Sequence, residues 1–357
     1  MTDRVLVAMS GGVDSSVAAY LIREAGYETT GVTMRLYDNE TIGIPSTKTC
    51  CSLESINDAV SVANRLGIYF LVLDFREEFK KEVIQRFIDA YEQGMTPNPC
   101  IECNRYLKFD HLYTAGREID QNYVATGHYA IVEKDAGAGR YLLKKSVDLS
   151  KDQSYVLYSL TQDQLSRTLF PLGGLHKTET RRIAEEQGFI NAAKHDSQDI
   201  CFIPDGDYAK FIENYTGKTY PKGNFVDRDG HILGEHRGII HYTIGQRKGL
   251  GLALKKPMYV QELDMTGNRV ILGDNSDLFT RELDARDFNW IAMDTPSGDI
   301  RCKARIRYKH QEADATVIPT GLDTVHVVFD EPQRAITRGQ SVVLYDGDYV
   351  VGGGTIC

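Results

Sequence analysis

Residues 5–22 read VLVAMSGGVDSSVAAYLI: an apolar run, then two glycines and three hydroxyl side chains around an aspartate, then a second apolar run. Strand, tight turn and helix in that order leave the turn's backbone N–H groups uncovered. They also aim the positive end of the helix dipole at whatever occupies the turn. Such a turn holds an anion. A Walker A loop would carry a lysine followed by Ser or Thr after its second glycine, and SGGVDSS has neither, so the anion is held another way. Gly11 and Gly12 permit backbone conformations and close approaches that a Cβ would obstruct, and Ser10, Ser15 and Ser16 offer hydroxyls to phosphate oxygens. A carboxylate beside phosphates is repelled unless a cation or an N–H intervenes. Asp14 therefore reads as loop scaffold, as a Mg²⁺ contact, or as both.

The rest of the first third repeats the same grammar. TTGVTMRLY, YFLVLDF and NYVATGHYA read as further strands, and SLESINDAVSVANRLG and REEFKKEVIQRFIDAYEQG as amphipathic helices. Strands alternating with helices predict βαβ units, a doubly wound parallel sheet, and a ligand at the carboxyl ends of its strands. From about residue 145 to 215 the pattern is helical, most clearly in TETRRIAEEQGF. Beyond 220, short strands such as RVILGD, HVVFD, SVVLYDGD and YVVGGGTI predict all-β modules, the last a small barrel. The fold class is α/β: residues 1–215 form a catalytic domain, 216–279 a small β-rich central domain, and 280–357 a C-terminal β-barrel.

The net charge of −9 over 357 residues argues against a protein that coats nucleic acid by bulk charge, but it leaves room for a local basic surface. No apolar run reaches the length of a membrane span, and the expected compartment is the cytosol. There seven cysteines do not imply a disulfide framework, so each thiol needs its own account. Cys100 and Cys103 form a C-x-x-C in TPNPCIECN, with Arg105 and Lys108 near enough in sequence to lower a thiol pKa. The motif fits half a zinc site, a redox pair, or a nucleophile with a neighbour; the adjacent Cys50 and Cys51 do not complete a zinc site in the usual way. Cys201 lies among Asp196, Gln198 and Asp199, and acidic neighbours alone disfavour a thiolate. KDQSY at 151–155, YTIGQRKGLG with Arg247 and Lys248, and RIRYKHQ at 305–311 share a mix of cation, amide and tyrosine. That mix suits a phosphate backbone and unpaired bases.

Taken together, SGGVDSS, TPNPCIECN, ATGHYA, KDQSY, SQDICFI, YTIGQRKGLG, RYKH and VVGGGTIC resemble the bacterial tRNA-specific 2-thiouridylase (MnmA) family, from residue 5 to the last residue. The first motif is shared by many ATP pyrophosphatases (PP-loop enzymes, the adenine nucleotide alpha hydrolase-like fold), and the order of the later motifs carries the substrate. The resemblance implies an ATP-dependent sulfur transfer to the wobble uridine of tRNAs for Lys, Glu and Gln. Adenylation of the base would release pyrophosphate, and attack by a persulfide would release AMP. It implies that the sulfur rides on Cys201 and that Cys103 frees it by forming a disulfide. ATP contacts carry over to Ala8, Met9, Ser10, Gly11, Gly12, Val13, Asp14, Ser15, Met34 and Gly127. Target-base contacts carry over to Asn98, Pro99 and Cys100, and tRNA contacts to His128, Lys151, Asp152, Gln153, Arg307, Tyr308 and Gln340. ATP with Mg²⁺, tRNA and a persulfide-relay donor protein are the implied cofactors and partners.

Cys100 departs from the family pattern, since some members keep an Asp there as a proposed general base. A thiol serves as a base only if its pKa is lowered. The change also creates a three-thiol set, Cys100, Cys103 and Cys201, that suits a [4Fe–4S] cluster with one open iron as an alternative to the persulfide route. Two other functions compete: a small-molecule ATP pyrophosphatase or synthetase of the same fold, and a tRNA-binding protein without catalysis. Intact Asp14, Cys103 and Cys201 count against the latter.

Overall fold

The computed structural model describes residues 2–38, 53–196 and 200–357. The strands in chain order are β1 (Arg4–Ala8), β2 (Glu28–Arg35), β3 (Tyr69–Asp74), β4 (Tyr123–Thr126), β5 (Ala130–Lys134), β6 (Tyr141–Lys145) and β7 (Thr168–Leu169). They continue as β8 (Gly223–Val226), β9 (Ile232–His236), β10 (Tyr259–Asp264), β11 (Arg269–Gly273), β12 (Phe279–Trp290) and β13 (Ile300–Arg305). The last are β14 (Ala313–Pro319), β15 (Val325–Arg334), β16 (Ser341–Asp346) and β17 (Tyr349–Ile356).

The first sheet runs β3-β2-β1-β4-β7, all parallel. Val5, Leu6 and Val7 of the central strand are fully buried, as expected of a strand covered by helices on both faces. From β1 the chain winds outward through β2 to β3, then returns to place β4 on the other side of β1. This reversal is the point at which an open α/β sheet leaves a crevice beyond its strand ends. SGGVDSS follows β1 and GHY follows β4, so both motifs open onto that crevice.

Helices cover the sheet. Val13–Glu24 buries Val13, Val17, Ala18, Ala19 and Ile22. Residues Arg76–Glu92, expected as one helix, are continuous but have a π-helical middle at Lys80–Gln85. The segment after TPNPC behaves alike: α-helix at Pro99–Glu102, π-helix at Cys103–His111, α-helix at Leu112–Glu118. Wide turns of this kind concentrate at functional sites, and Cys103 begins the second one. Lys177–Glu186 forms the helix expected from TETRRIAEEQGF.

A second sheet, β10-β11-β8-β9, carries the central segment. The third closes on itself through β12-β15-β14-β13-β16-β17 and back to β12, giving a six-stranded barrel. The β5–β6 hairpin, within the segment assigned to the first domain, joins that barrel at its β17 edge through Tyr349 and Lys144. Alternation alone carries no information about which sheet a hairpin joins. No helix among the described residues is long and apolar enough to cross a membrane.

Candidate active site

The SGGVDSS turn is built around Gly11 and Gly12. Gly11 has φ +75°, and a Cβ there would lie 2.1 Å from the Ser55 carbonyl oxygen, so only glycine fits. Gly12 is the N-cap of Val13–Glu24 and brings no side chain to the cap, which leaves the first-turn N–H groups facing the crevice. Ser15 and Ser16 are buried and donate their hydroxyls to the Gly12 carbonyl at 3.0 and 3.1 Å, whereas Ser10 is exposed. Gly127 closes the other wall: a Cβ there would come within 2.8 Å of the Asp14–Ser15 backbone. Met9 and Val13 are buried beneath the turn, with Ala8 and Met34 at the ends of their strands.

Asp14 already holds a cation. Lys177 Nζ donates to both its carboxylate oxygens at 2.7 and 2.8 Å, and the Tyr129 hydroxyl donates to one of them at 2.9 Å. Lys177 also pairs with Asp196 at 2.7 Å, and Asp196 takes Lys151 at 2.8 Å and Arg181 at 2.9 Å. The scaffold role of Asp14 is thus visible in its contacts. Behind the turn, Asn191 donates to the Gly11 carbonyl and to Ser16 Oγ, at 3.0 and 2.9 Å.

Partial burial pushes the Asp196 carboxyl up, but Lys151 and Lys177 outweigh it and hold it at about 2, against an ordinary 3.8. A depressed carboxyl stabilises the fold above its unfolded pKa and loses that contribution as pH falls through the folded one. The wild type is therefore expected to lose about 2 kcal/mol of Asp196-dependent stability between pH 4 and 2. Urea titrations should show that loss in the wild type and a much shallower one in Asp196→Asn. Three cations on Asp196 also remove the objection that it burdens Cys201. Gln198 and Asp199, with Cys50 and Cys51, lie outside the described residues.

Cys201 is half-buried. Its neighbour Phe202 is 1% exposed and locked among Phe79, Phe87 and Phe211, and the Tyr37 hydroxyl donates to the Cys201 carbonyl at 2.8 Å. Cys103 packs against the same apolar cluster as Cys201, although the two are far apart in sequence. Asn98 caps the helix that bears the C-x-x-C by accepting from Cys100 N–H at 3.1 Å, and Pro99 is buried at its first position. Cys100 is exposed.

The expectation that neighbouring cations lower the Cys103 pKa needs correction. Burial pushes the thiol above its ordinary 9.0, and Lys108 opposes that only in part. The Arg105 guanidinium lies beside Glu102 and Tyr106 instead. In the protein alone, alkylation of Cys103 by iodoacetamide should reach its half-maximal rate above pH 9.0. A midpoint near 7, read by peptide mass spectrometry, would contradict this. Among the described residues only Asp227, Asp229 and His231, in the β8–β9 turn, bring three ligating atoms within 4.8 Å of one another.

The residues carried over as tRNA contacts divide in two. Gln340 donates to the Thr96 carbonyl at 2.7 Å and Thr96 N–H to the Arg338 carbonyl at 2.8 Å, so the barrel pins the TPNPC loop. Tyr308 donates to the Asp152 carbonyl at 3.1 Å. Burial, Asp152 and then nearby Cys100 raise its phenol. Arg307 donates to the Arg334 carbonyl, and Arg334 reaches the Gly245 carbonyl at 3.5 Å, which brings the GQRKG loop against the barrel. KDQSY, RYKH and GQRKG therefore meet. By contrast, His128 is buried, with Thr126 2.7 Å from Nδ1 and Lys108 3.5 Å from Nε2; burial and Lys108 hold it well below 6.5, hence neutral. Lys151 is engaged by Asp196, Gln153 accepts from Tyr129 N–H, and Asp152 is buried. Of these four, His128 and Asp152 are buried, while Lys151 and Gln153 are half-buried. Sequence reasoning missed Lys177, Tyr129 and Asn191; for Lys177 the one signal was the lysine missing from the loop itself.

Three family models tile the chain: the tRNA methyl transferase HUP domain over residues 3–205, the tRNA methyl transferase PRC-barrel domain over 209–274, and the aminomethyltransferase beta-barrel domain over 280–356. A tRNA-specific 2-thiouridylase MnmA of Clostridioides difficile is 53% identical over 356 residues, covering 100% of this chain and 98% of its own. The chain belongs to the tRNA-specific 2-thiouridylase MnmA family. The Acetivibrio thermocellus member is also 53% identical, covering 99% of both chains. A Thermoanaerobacter sp. member reaches 53% over 99% of this chain and 98% of its own. In this member of the family, the nucleotide-type turn and the Cys201 segment are joined through Lys177, Asp196 and Asn191.

Proposed function

We propose that this chain is a tRNA 2-thiouridylase, a tRNA-uridine 2-sulfurtransferase that consumes ATP. The observation that carries the reading is one assembly with three parts. An uncapped anion turn lies at the switch point of a parallel sheet. Two cysteines 98 positions apart in sequence pack on one apolar cluster beside it. From the barrel, Gln340 pins the loop before Cys100 at Thr96, and Tyr308 bonds the KDQSY segment at Asp152.

ATP occupies the turn, with its phosphates on the N–H groups of the first helical turn. The C2 oxygen of the wobble uridine attacks the α-phosphorus and pyrophosphate leaves. A carbonyl oxygen is a poor leaving group until it carries AMP, and the uncapped N–H groups stabilise the charge gathering on pyrophosphate. A persulfide on Cys201 then attacks C2, and AMP departs. Cys103, as thiolate, takes the inner sulfur to form a disulfide with Cys201, leaving the outer sulfur on the base. Cys103 is a protonated thiol in the protein alone, so this step requires the proton to leave once tRNA has docked. In this reading Cys100, exposed and near Tyr308, contacts the base. Mg²⁺ enters with the nucleotide, and since Asp14 is already neutralised by Lys177 no step needs Asp14 as its ligand. The cluster alternative would hold iron on the thiolates of Cys100, Cys103 and Cys201 and leave one iron open to sulfide. The domain limits follow the labour: chemistry in 1–215, RNA contacts shared with 216–279 and 280–357. The substrate set is tRNA for Lys, Glu and Gln, the sulfur comes from a persulfide-relay protein, and the setting is the cytoplasm.

The test is to combine the anaerobically purified chain with ATP, a persulfide donor and unmodified tRNA, and to measure 2-thiouridine by nucleoside mass spectrometry beside iron content. Thiolation without iron supports the reading. Thiolation that needs about four irons per chain would replace the persulfide step by the cluster. AMP formation without tRNA would favour a small-molecule synthetase.

A further inference from the structure

The SGGVDSS turn lacks the lysine with which Walker A loops meet phosphate charge, yet a nucleotide triphosphate there needs cationic partners. Two ammonium groups reach the turn from far downstream. Lys177 is the less available of them: its side chain is only 10% exposed and lies between the carboxylates of Asp14 and Asp196. Lys194 differs. Its side chain is 37% exposed, and its Nζ lies 2.9 Å from Asp58 Oδ2, 3.2 Å from Ser55 Oγ and 3.3 Å from the Gly11 carbonyl oxygen. The first two contacts hold the ammonium against the turn. The third is the longest, and it is made to the glycine next to the uncapped helix N-terminus.

We infer that Lys194 is the lysine missing from the loop: an ATP-binding residue, supplied from 183 positions downstream of Gly11, that recognises the β- and γ-phosphates. An ammonium has three N–H donors on a rotatable stem. Rotation at the end of the side chain exchanges the Gly11 carbonyl for a phosphate oxygen while Asp58 and Ser55 keep their bonds. No carboxylate is stranded, and the new bond joins two ions, which makes it stronger than the bond given up. Asn191 holds the Gly11 carbonyl at 3.0 Å throughout, so the turn keeps its shape when Lys194 lets go. Asp58 and Ser55 are thereby positioning residues for the ammonium.

The inference rests on the reading of the turn as an ATP site, and the experiment separates the two. Equilibrium binding of radiolabelled ATP, of AMP and of tRNA is measured on the full chain for the wild type, Lys194→Met and Lys194→Arg. Lys194→Met should weaken ATP about tenfold, as expected for one lost charge-assisted bond, and AMP less than about twofold. Lys194→Arg should keep most of the ATP affinity, and tRNA binding should stay unchanged in both variants. Equal loss of ATP and AMP in Lys194→Met would mean that the lysine only shapes the loop and would overturn the inference, as would unchanged ATP affinity. If Lys194→Met fails to fold, Lys194→Gln takes its place, with the same two outcomes. A wild-type chain that binds no ATP would overturn the reading of the turn itself.

Discussion

Cys201→Ser is expected to stop the reaction half-way. The variant should release pyrophosphate in an amount matching the tRNA supplied, because adenylation uses the turn after β1 and not the thiol. It should then form 2-thiouridine at least about 10³-fold more slowly, since the nucleophile that carries sulfur is gone and a hydroxyl cannot bear a persulfide. The fold should be unaffected: Phe202, 1% exposed and packed on Phe79, Phe87 and Phe211, anchors this stretch whichever side chain precedes it. The measurement is a quench of one turnover with both products counted. A variant that still thiolates tRNA would remove Cys201 from its role.

Asp14→Asn has the second-largest expected effect, through charge and not shape. The amide can still accept from Tyr129 but no longer neutralises Lys177, whose side chain is only 10% exposed. Lys177 then leans on Asp196 alone, and the start of Val13–Glu24 loses its tie to Lys177–Glu186. Because Asp14 is itself about a third exposed, solvent softens the stability cost to about 1–2 kcal/mol. Pyrophosphate release should fall by roughly 10²-fold, the magnitude typical of a displaced preorganised group. Pre-steady-state pyrophosphate detection with saturating tRNA checks this. A near-normal rate would make Asp14 a loop residue only.

These expectations also show how much the sequence could say. The apolar runs of β1, β2 and β3 and the glycine turn are local signals, and the structure places each where the pattern puts it. The parallel sheet follows because alternating strands and helices have few ways to bury both faces. The π-helical turns at 80–85 and 103–111 left no mark, because their apolar pattern reads as ordinary helix. The C-x-x-C was legible as chemistry, but the Cys103 pKa was not: Lys108 is visible in the sequence, and the burial that outweighs it is not. Asp196 shows the same limit in reverse. Read locally it is an acid near Cys201, and three-dimensionally it is a carboxylate consumed by Lys151, Lys177 and Arg181. Lys177 and Lys194 could be suspected only from a deficit, the cation absent from SGGVDSS.

In the proposed reaction ATP activates the uridine C2 oxygen before sulfur arrives. The most direct measurement uses tRNA bearing ¹⁸O at C2 of the wobble uridine, with ATP, a persulfide donor and the wild-type chain. One labelled oxygen is expected in the AMP released, in step with 2-thiouridine formed. AMP free of label, formed at the same rate as 2-thiouridine, would contradict it.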